Sequence, residues 1–231
     1  MDQHFNDSLG LERLLFFSDA VMAIAITLLA IDLKIPEIPA ALAIQELPRQ
    51  LDALTPRIIS FVISFVVIGI YWSSHHRYFG YIRRFDGRLV ALNMLFLMFI
   101  VLMPFVASLF GQYHFLPIGV IAYAAEVAAI GLTLAALWWY ATRQHRLVDQ
   151  DLDEIFIHNR MIIALASPLP FLLSIPLALV SEVAALTVWW LAPFLALGAL
   201  RLIERKGSGN RVESWTARLA QRLGRNPQSR A

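Results

Sequence analysis

Hydrophobic and polar positions separate into blocks along this chain. Apolar runs cover about residues 11–34, 57–78, 87–111, 116–141, 159–181 and 183–203, and short polar connections divide them. Each run is long enough to cross a hydrocarbon core of about 30 Å as a helix. Prolines inside the runs (Pro104, Pro168, Pro170, Pro176, Pro193) do not argue against helix, because neighbouring helices satisfy the backbone groups they free. The pattern predicts an all-α membrane protein with six transmembrane helices. Residues 1–10 form a polar N-terminal segment carrying Asp2 and Asp7 rather than a basic leader. The apolar run behind it is longer than a signal-peptide core, so it is read as a retained span.

Two amphipathic stretches lie outside the runs. Ala40–Ala53 is expected to form a short helix on the membrane surface. In the tail, 204–231, Gly207-Ser208-Gly209 make a joint, and Val212, Trp215, Leu219 and Leu223 then recur at helical spacing among arginines. Both a basic amphipathic helix on the lipid surface and a disordered tail fit that segment. The pairs Trp138-Trp139 and Trp189-Trp190 fit interface anchors or packing, with the second pair deep for an anchor.

Charge orients the spans. Of 19 Lys and Arg, only Lys34, Arg49 and Arg57 fall on one side of the membrane under this topology. The excess on the other side places both termini in the cytoplasm. The chain is 58% hydrophobic and 16% charged, against about a quarter charged in a soluble domain. It has no cysteine, so disulfides and thiolate metal sites are excluded. A net charge of +2 and the lack of a nucleic-acid motif give no reason to expect a nucleic-acid partner. No G-x-S-x-G or H-E-x-x-H pattern occurs, and Ser73 and Ser74 have no recognisable oxyanion hole beside them, so an enzyme is not expected.

The first span has two distinct faces. At about 100° per residue, with Ile24 at zero, Leu28 falls near about +40°, Ile31 about −20°, Ala20 about −40° and Thr27 about −60°. Ser18 and Asp19 fall on the other side, near about +120° and −140°. The aliphatic stripe fits lipid or core contact, and it equally fits copies from several subunits lining a pore whose constrictions gate by dewetting.

An ionisable group inside a span is costly and usually functional. The topology brings Ser18, Asp19, His75, His76 and Asn93 within a turn or two of one layer near the cytoplasm. They can hydrogen-bond to one another as a lock between the first three spans, with Arg13 or Arg77 neutralising Asp19. Adjacent histidines point about 100° apart on a helix, so His75 and His76 do not chelate one ion together, and no metal site is expected. A His/Asp pair that senses pH is a further reading. Glu126, near the middle of the fourth span, is read as neutral and bonded to Tyr123 or a serine, or as a protonatable relay. Asp32 and Glu37 by the outer end are solvated interface charges or cation concentrators.

Arg13, Phe17, Ser18 and Asp19 form the pattern R-x-x-x-F-S-D. With the Ala-Ile-Thr-Leu-Leu that follows and the Trp72…His75-His76 element plus Asn93, they resemble the family of transmembrane protein 175, the lysosomal potassium channel, and its bacterial relatives. The likeness covers the first three spans. It implies a six-span subunit whose first helix lines a central pore. Animal members carry two such repeats; this chain has one F-S-D, so a homotetramer is implied, in a bacterial inner membrane. It implies a constriction at Ile24, Leu28 and Ile31, and a potassium-preferring hydroxyl at Thr27. It also implies a hydrogen-bond network of Arg13, Ser18, Asp19, Trp72, His75, His76 and Asn93.

The expected function is therefore a potassium-permeable cation channel. Its partners are its own copies, the bilayer and monovalent cations, with no cofactor beyond permeant potassium. No T-V-G-Y-G filter and no arginine-rich voltage sensor occur. The alternative is a proton-permeable or proton-coupled transporter using Asp19, Glu126 and His75/His76. No internal repeat of the kind common in transporters is evident.

Overall fold

The structure is a computed structural model and describes residues 2–35 and 37–191. Helix α1 runs Asp2–Leu28 and ends in a 3-10 turn, Leu29–Asp32. The short α2 (Ala43–Ala53) leads directly into α3 (Thr55–Phe79). Then follow α4 (Gly87–Tyr113), α5 (Pro117–Thr142), α6 (Glu154–Ala166), α7 (Leu169–Ala178) and α8 (Glu182–Trp189). Five stretches of the described residues are long and apolar enough to cross a membrane: Asp7–Asp32, Thr55–Phe79, Gly87–Tyr113, Pro117–His145 and Glu154–Ala178. The chain is thus an all-helical integral membrane protein.

Local chemistry explains where these helices start. Pro117 opens α5, where its missing N–H is no loss. Asp86 caps α4 by accepting from the Leu89 amide at 2.8 Å, and Ser181 caps α8 through the Ala184 amide. Two expectations change. The N-terminal segment is helical from Asp2 and continuous with the first span. The fifth span is two helices, because Pro168 and Pro170 have no N–H to return to the preceding turn, and the ladder breaks between Ala166 and Leu169. The sixth block begins as α8; its remainder and the basic tail lie outside the described residues.

Helix α5 sits at the centre. It is rich in Ala and Gly, so its neighbours approach closely, as small residues allow in membrane bundles. A Cβ at Gly131 would stand 2.7 Å from the Tyr71 hydroxyl and 2.9 Å from Pro168. There Tyr71 donates to the Val127 carbonyl at 3.2 Å and accepts from Ser167 at 3.3 Å, so α3 clasps α5 at the break in the fifth span. Trp189 is buried among Phe110, Tyr123 and Phe171, with its indole N–H on Ser174 at 2.8 Å. Packing is therefore the role of Trp189 and of buried Trp138, whereas Trp139 and Trp190 are exposed.

Candidate functional site

Helix α1 is buried on one side only. Ser18, Met22, Ala25 and Leu29, spaced four, three and four apart, pack against the bundle. On the opposite side Ile24 is 59% exposed, Leu28 39% and Ile31 55%, with Ala20 and Thr27 exposed beside them. The stripe that the helical period assembles is therefore the one the protomer leaves uncovered. The Thr27 hydroxyl donates to the Ile24 carbonyl at 2.8 Å, which spends its hydrogen inside the helix and leaves the oxygen as an acceptor on the open face.

Behind this stripe a polar chain ties three helices together. Ser18 donates to the Leu14 carbonyl at 2.7 Å and accepts from the Asn93 side-chain nitrogen at 2.9 Å. The Asn93 oxygen faces His75 Nε2 at 2.7 Å. An amide oxygen only accepts, so His75 carries its proton on Nε2. Its Nδ1 is then a bare acceptor, buried and without a partner among the described residues. The imidazole is stacked on Phe96 and packed on Phe79, with centroids at 5.2 and 4.3 Å. In a second link, the Trp72 indole donates to Asp19 at 2.8 Å, and His76 stacks on Trp72. Ser18, Asn93 and His75 are fully buried, so each bond is made in a medium where a missing partner is costly.

Neither arginine expected to neutralise Asp19, Arg13 or Arg77, forms an ion pair with it among the described residues. Arg13 is exposed and makes no hydrogen bond or ion pair with the described residues. It lies about 120° around α1 from Asp19 and cannot neutralise it from there. Arg77 points to Ser74 at 3.4 Å. His76 is exposed and takes part only through its ring. The aromatic clamp on His75 was not anticipated, although Phe79 at i+4 is a signal for half of it.

Glu126 is buried, and its Oε1 has no partner among the described residues. The expected bond to Tyr123 is absent because that hydroxyl crosses to Ser64 instead, at 3.1 Å.

Comparison with known proteins places this geometry in a lineage. The profile of the family described as endosomal/lysosomal potassium channel TMEM175 matches residues 13–104, the stretch that holds the stripe and its polar anchor. A potassium channel of Streptomyces collinus is 37% identical over 141 residues, covering 59% of this chain and 67% of that protein. The human endosomal/lysosomal proton channel TMEM175 is 29% identical over 131 residues, 56% of this chain and 25% of its own length. The crystal structure of a TMEM175 homolog from Chamaesiphon minutus superposes with a TM-score of 0.70 at 27% identity, covering 82% of this chain and 97% of that one. The class is thus a polytopic helical membrane protein whose polar anchor lies behind an uncovered first helix. The chain belongs to the TMEM175 family.

Proposed function

We propose that this protein is a cation channel permeable to potassium, assembled as a homotetramer in a bacterial inner membrane with both termini cytoplasmic. Each subunit has six spans, the sixth opening with α8. Four copies of α1 surround the ion path, and Ile24, Leu28 and Ile31 form successive aliphatic constrictions. Water is excluded from so narrow an apolar ring, and an ion that sheds its hydration there meets a barrier; side-chain rearrangement or helix rotation opens it. Thr27 presents hydroxyl oxygens between the rings and favours potassium modestly. Ser18, Asp19, Trp72, His75 and Asn93 hold α1 against α3 and α4 so that the rings stay in register. The observation that carries this reading is the exposed Ile24–Leu28–Ile31 stripe on a helix whose other face is bolted down by polar bonds. Membership of a family named for ion channels supports it.

The test is potassium flux in proteoliposomes. Ile24→Asn and Leu28→Asn each raise the resting flux, because a polar ring wets the constriction. Unchanged flux in both would remove the pore from this face.

The animal relatives' description as proton channels favours a second reading, proton permeation. Its carriers would be Asp19, Glu126 and the histidines. Among the described residues no hydrogen bond joins Glu126 to the Asp19 or His75 clusters, so water would have to bridge them. Acidification of liposomes that disappears in Glu126→Gln would favour it over the first reading.

A further inference from the structure

The loops at the arginine-bearing end of the bundle are zipped together. The Leu147 carbonyl accepts from the amides of Arg83 and Arg84 at 2.7 and 3.1 Å, and Ile82 pairs with Val148 in an isolated antiparallel bridge. The turn leaving α5 is tight, with Gln144 and His145 both at positive φ, 55° and 52°. This is an uncommon conformation for residues with a Cβ, and the surrounding bonds hold it.

Four acids of these loops are already engaged, and Asp151, exposed between them, is the one without a partner among the described residues. Asp86 caps α4 and accepts from the Tyr140 hydroxyl at 2.5 Å. Asp149 pairs with Arg83 at 3.2 Å, Glu154 lies 3.6 Å from His145, and Asp153 caps α6. Three exposed arginines around the turn have no carboxylate partner among the described residues. Arg84 donates to the Arg146 carbonyl at 3.2 Å, which fixes its guanidinium at the turn. Arg146 lies over the Tyr140 ring at 5.1 Å, and Arg143 lies over Trp139 at 5.0 Å. Trp139 is 51% exposed and occupies the last turn of a membrane span, the depth at which an indole meets lipid headgroups.

We propose that this turn is a binding site for the phosphate of an anionic phospholipid in the leaflet at that end. Arg84, Arg143 and Arg146 supply the charge, and Trp139 lies against the top of the acyl chains. Guanidinium groups pair with phosphate in forked geometry, and stacking on an aromatic ring orders them before the lipid arrives. The zipped backbone makes the site rigid, unlike a run of arginines on a free loop. The proposal does not depend on the pore reading, since no residue of α1 takes part.

The full chain in detergent, stripped of lipid, is titrated with dioleoyl phosphatidylglycerol, dioleoyl phosphatidylcholine or inorganic phosphate, and retained lipid is read by native mass spectrometry. Phosphatidylglycerol is retained in preference to phosphatidylcholine. R143Q, whose side chain rests only on Trp139, lowers that retention by about fivefold, the worth of one arginine at a charged lipid surface. R84Q/R143Q/R146Q lowers it to the phosphatidylcholine level, while R49Q at the opposite end leaves it unchanged. Equal retention of both lipids by the wild type, or no loss in either the single or the triple variant, overturns the site. Displacement of phosphatidylglycerol by inorganic phosphate at equal concentration overturns its assignment to a lipid.

Discussion

The carboxylate of Asp19 accepts a 2.8 Å hydrogen bond from the indole of Trp72, and this bond ties α1 to α3 on the side away from Ile24. The contact is half exposed, so its energy is modest, yet it is a long-range link between the first span and the second. Trp72→Phe keeps the ring against His76 and removes the donor. The expected cost is about 1 kcal/mol, the net worth of a bond to a charged group reduced by solvent access. Thermal denaturation in detergent measures it, and Asp19→Leu in the Trp72→Phe background should add less than it does alone.

Asn93 serves two partners that have no substitute. In Asn93→Leu the His75 Nε2–H loses its acceptor inside the bundle, while Ser18 keeps its bond to Leu14. A destabilisation of about 1–3 kcal/mol is expected. Adding His75→Phe, which stacks equally well between Phe79 and Phe96, should recover most of it, because no polar group is then stranded. A purely additive double variant would contradict the bond assignment.

Gly131 and Gly69 form a matched pair. A methyl at Gly131 meets the Tyr71 hydroxyl and Pro168, whereas one at Gly69 meets nothing within 4 Å. Gly131→Ala is expected to destabilise by about 1–3 kcal/mol, the usual cost of overpacking, and to loosen the junction of α6 and α7. Gly69→Ala should match or exceed wild-type stability, since alanine costs less backbone entropy in a helix. Melting temperatures of the two variants, compared side by side, decide it.

Removal of the Thr27 hydroxyl tests ion preference apart from stability. Thr27→Val keeps the shape and loses an oxygen that bonds only to its own helix. The expected result is an unchanged melting temperature with a smaller potassium-over-sodium permeability ratio, read from reversal potentials in planar bilayers. A ratio equal to that of the wild type would assign selectivity elsewhere.

Glu126 is a carboxyl without a partner for Oε1 in a span. Glu126→Leu is expected to raise thermal stability, because burying an unpaired polar oxygen costs free energy that leucine does not incur. A fall in stability would mean that the carboxyl is satisfied by a group outside the described residues or by water.

Much of this architecture is legible in one dimension, and the reason is the bilayer. A span must satisfy all its backbone groups internally, so a long apolar run becomes a helix whatever surrounds it. The 3.6-residue period then separates Ile24, Leu28 and Ile31 from Ser18 without knowledge of any neighbour. The arginine bias and the F-S-D motif are likewise local facts. Partner choice was not local. That Asn93 meets Ser18 and His75 while Arg13 faces away, or that Tyr123 reaches Ser64 rather than Glu126, depends on how helices rotate and cross. Shifts of a few ångströms there decide which of several reachable groups is bonded. The break at Pro168 and the zipped turn after α5 have the same origin. Proline permits a break but does not require one, and the left-handed pair Gln144-His145 is held by folded contacts such as that of His145 with the Leu152 carbonyl. Backbone self-sufficiency was written along the chain; pairing between helices was settled by packing.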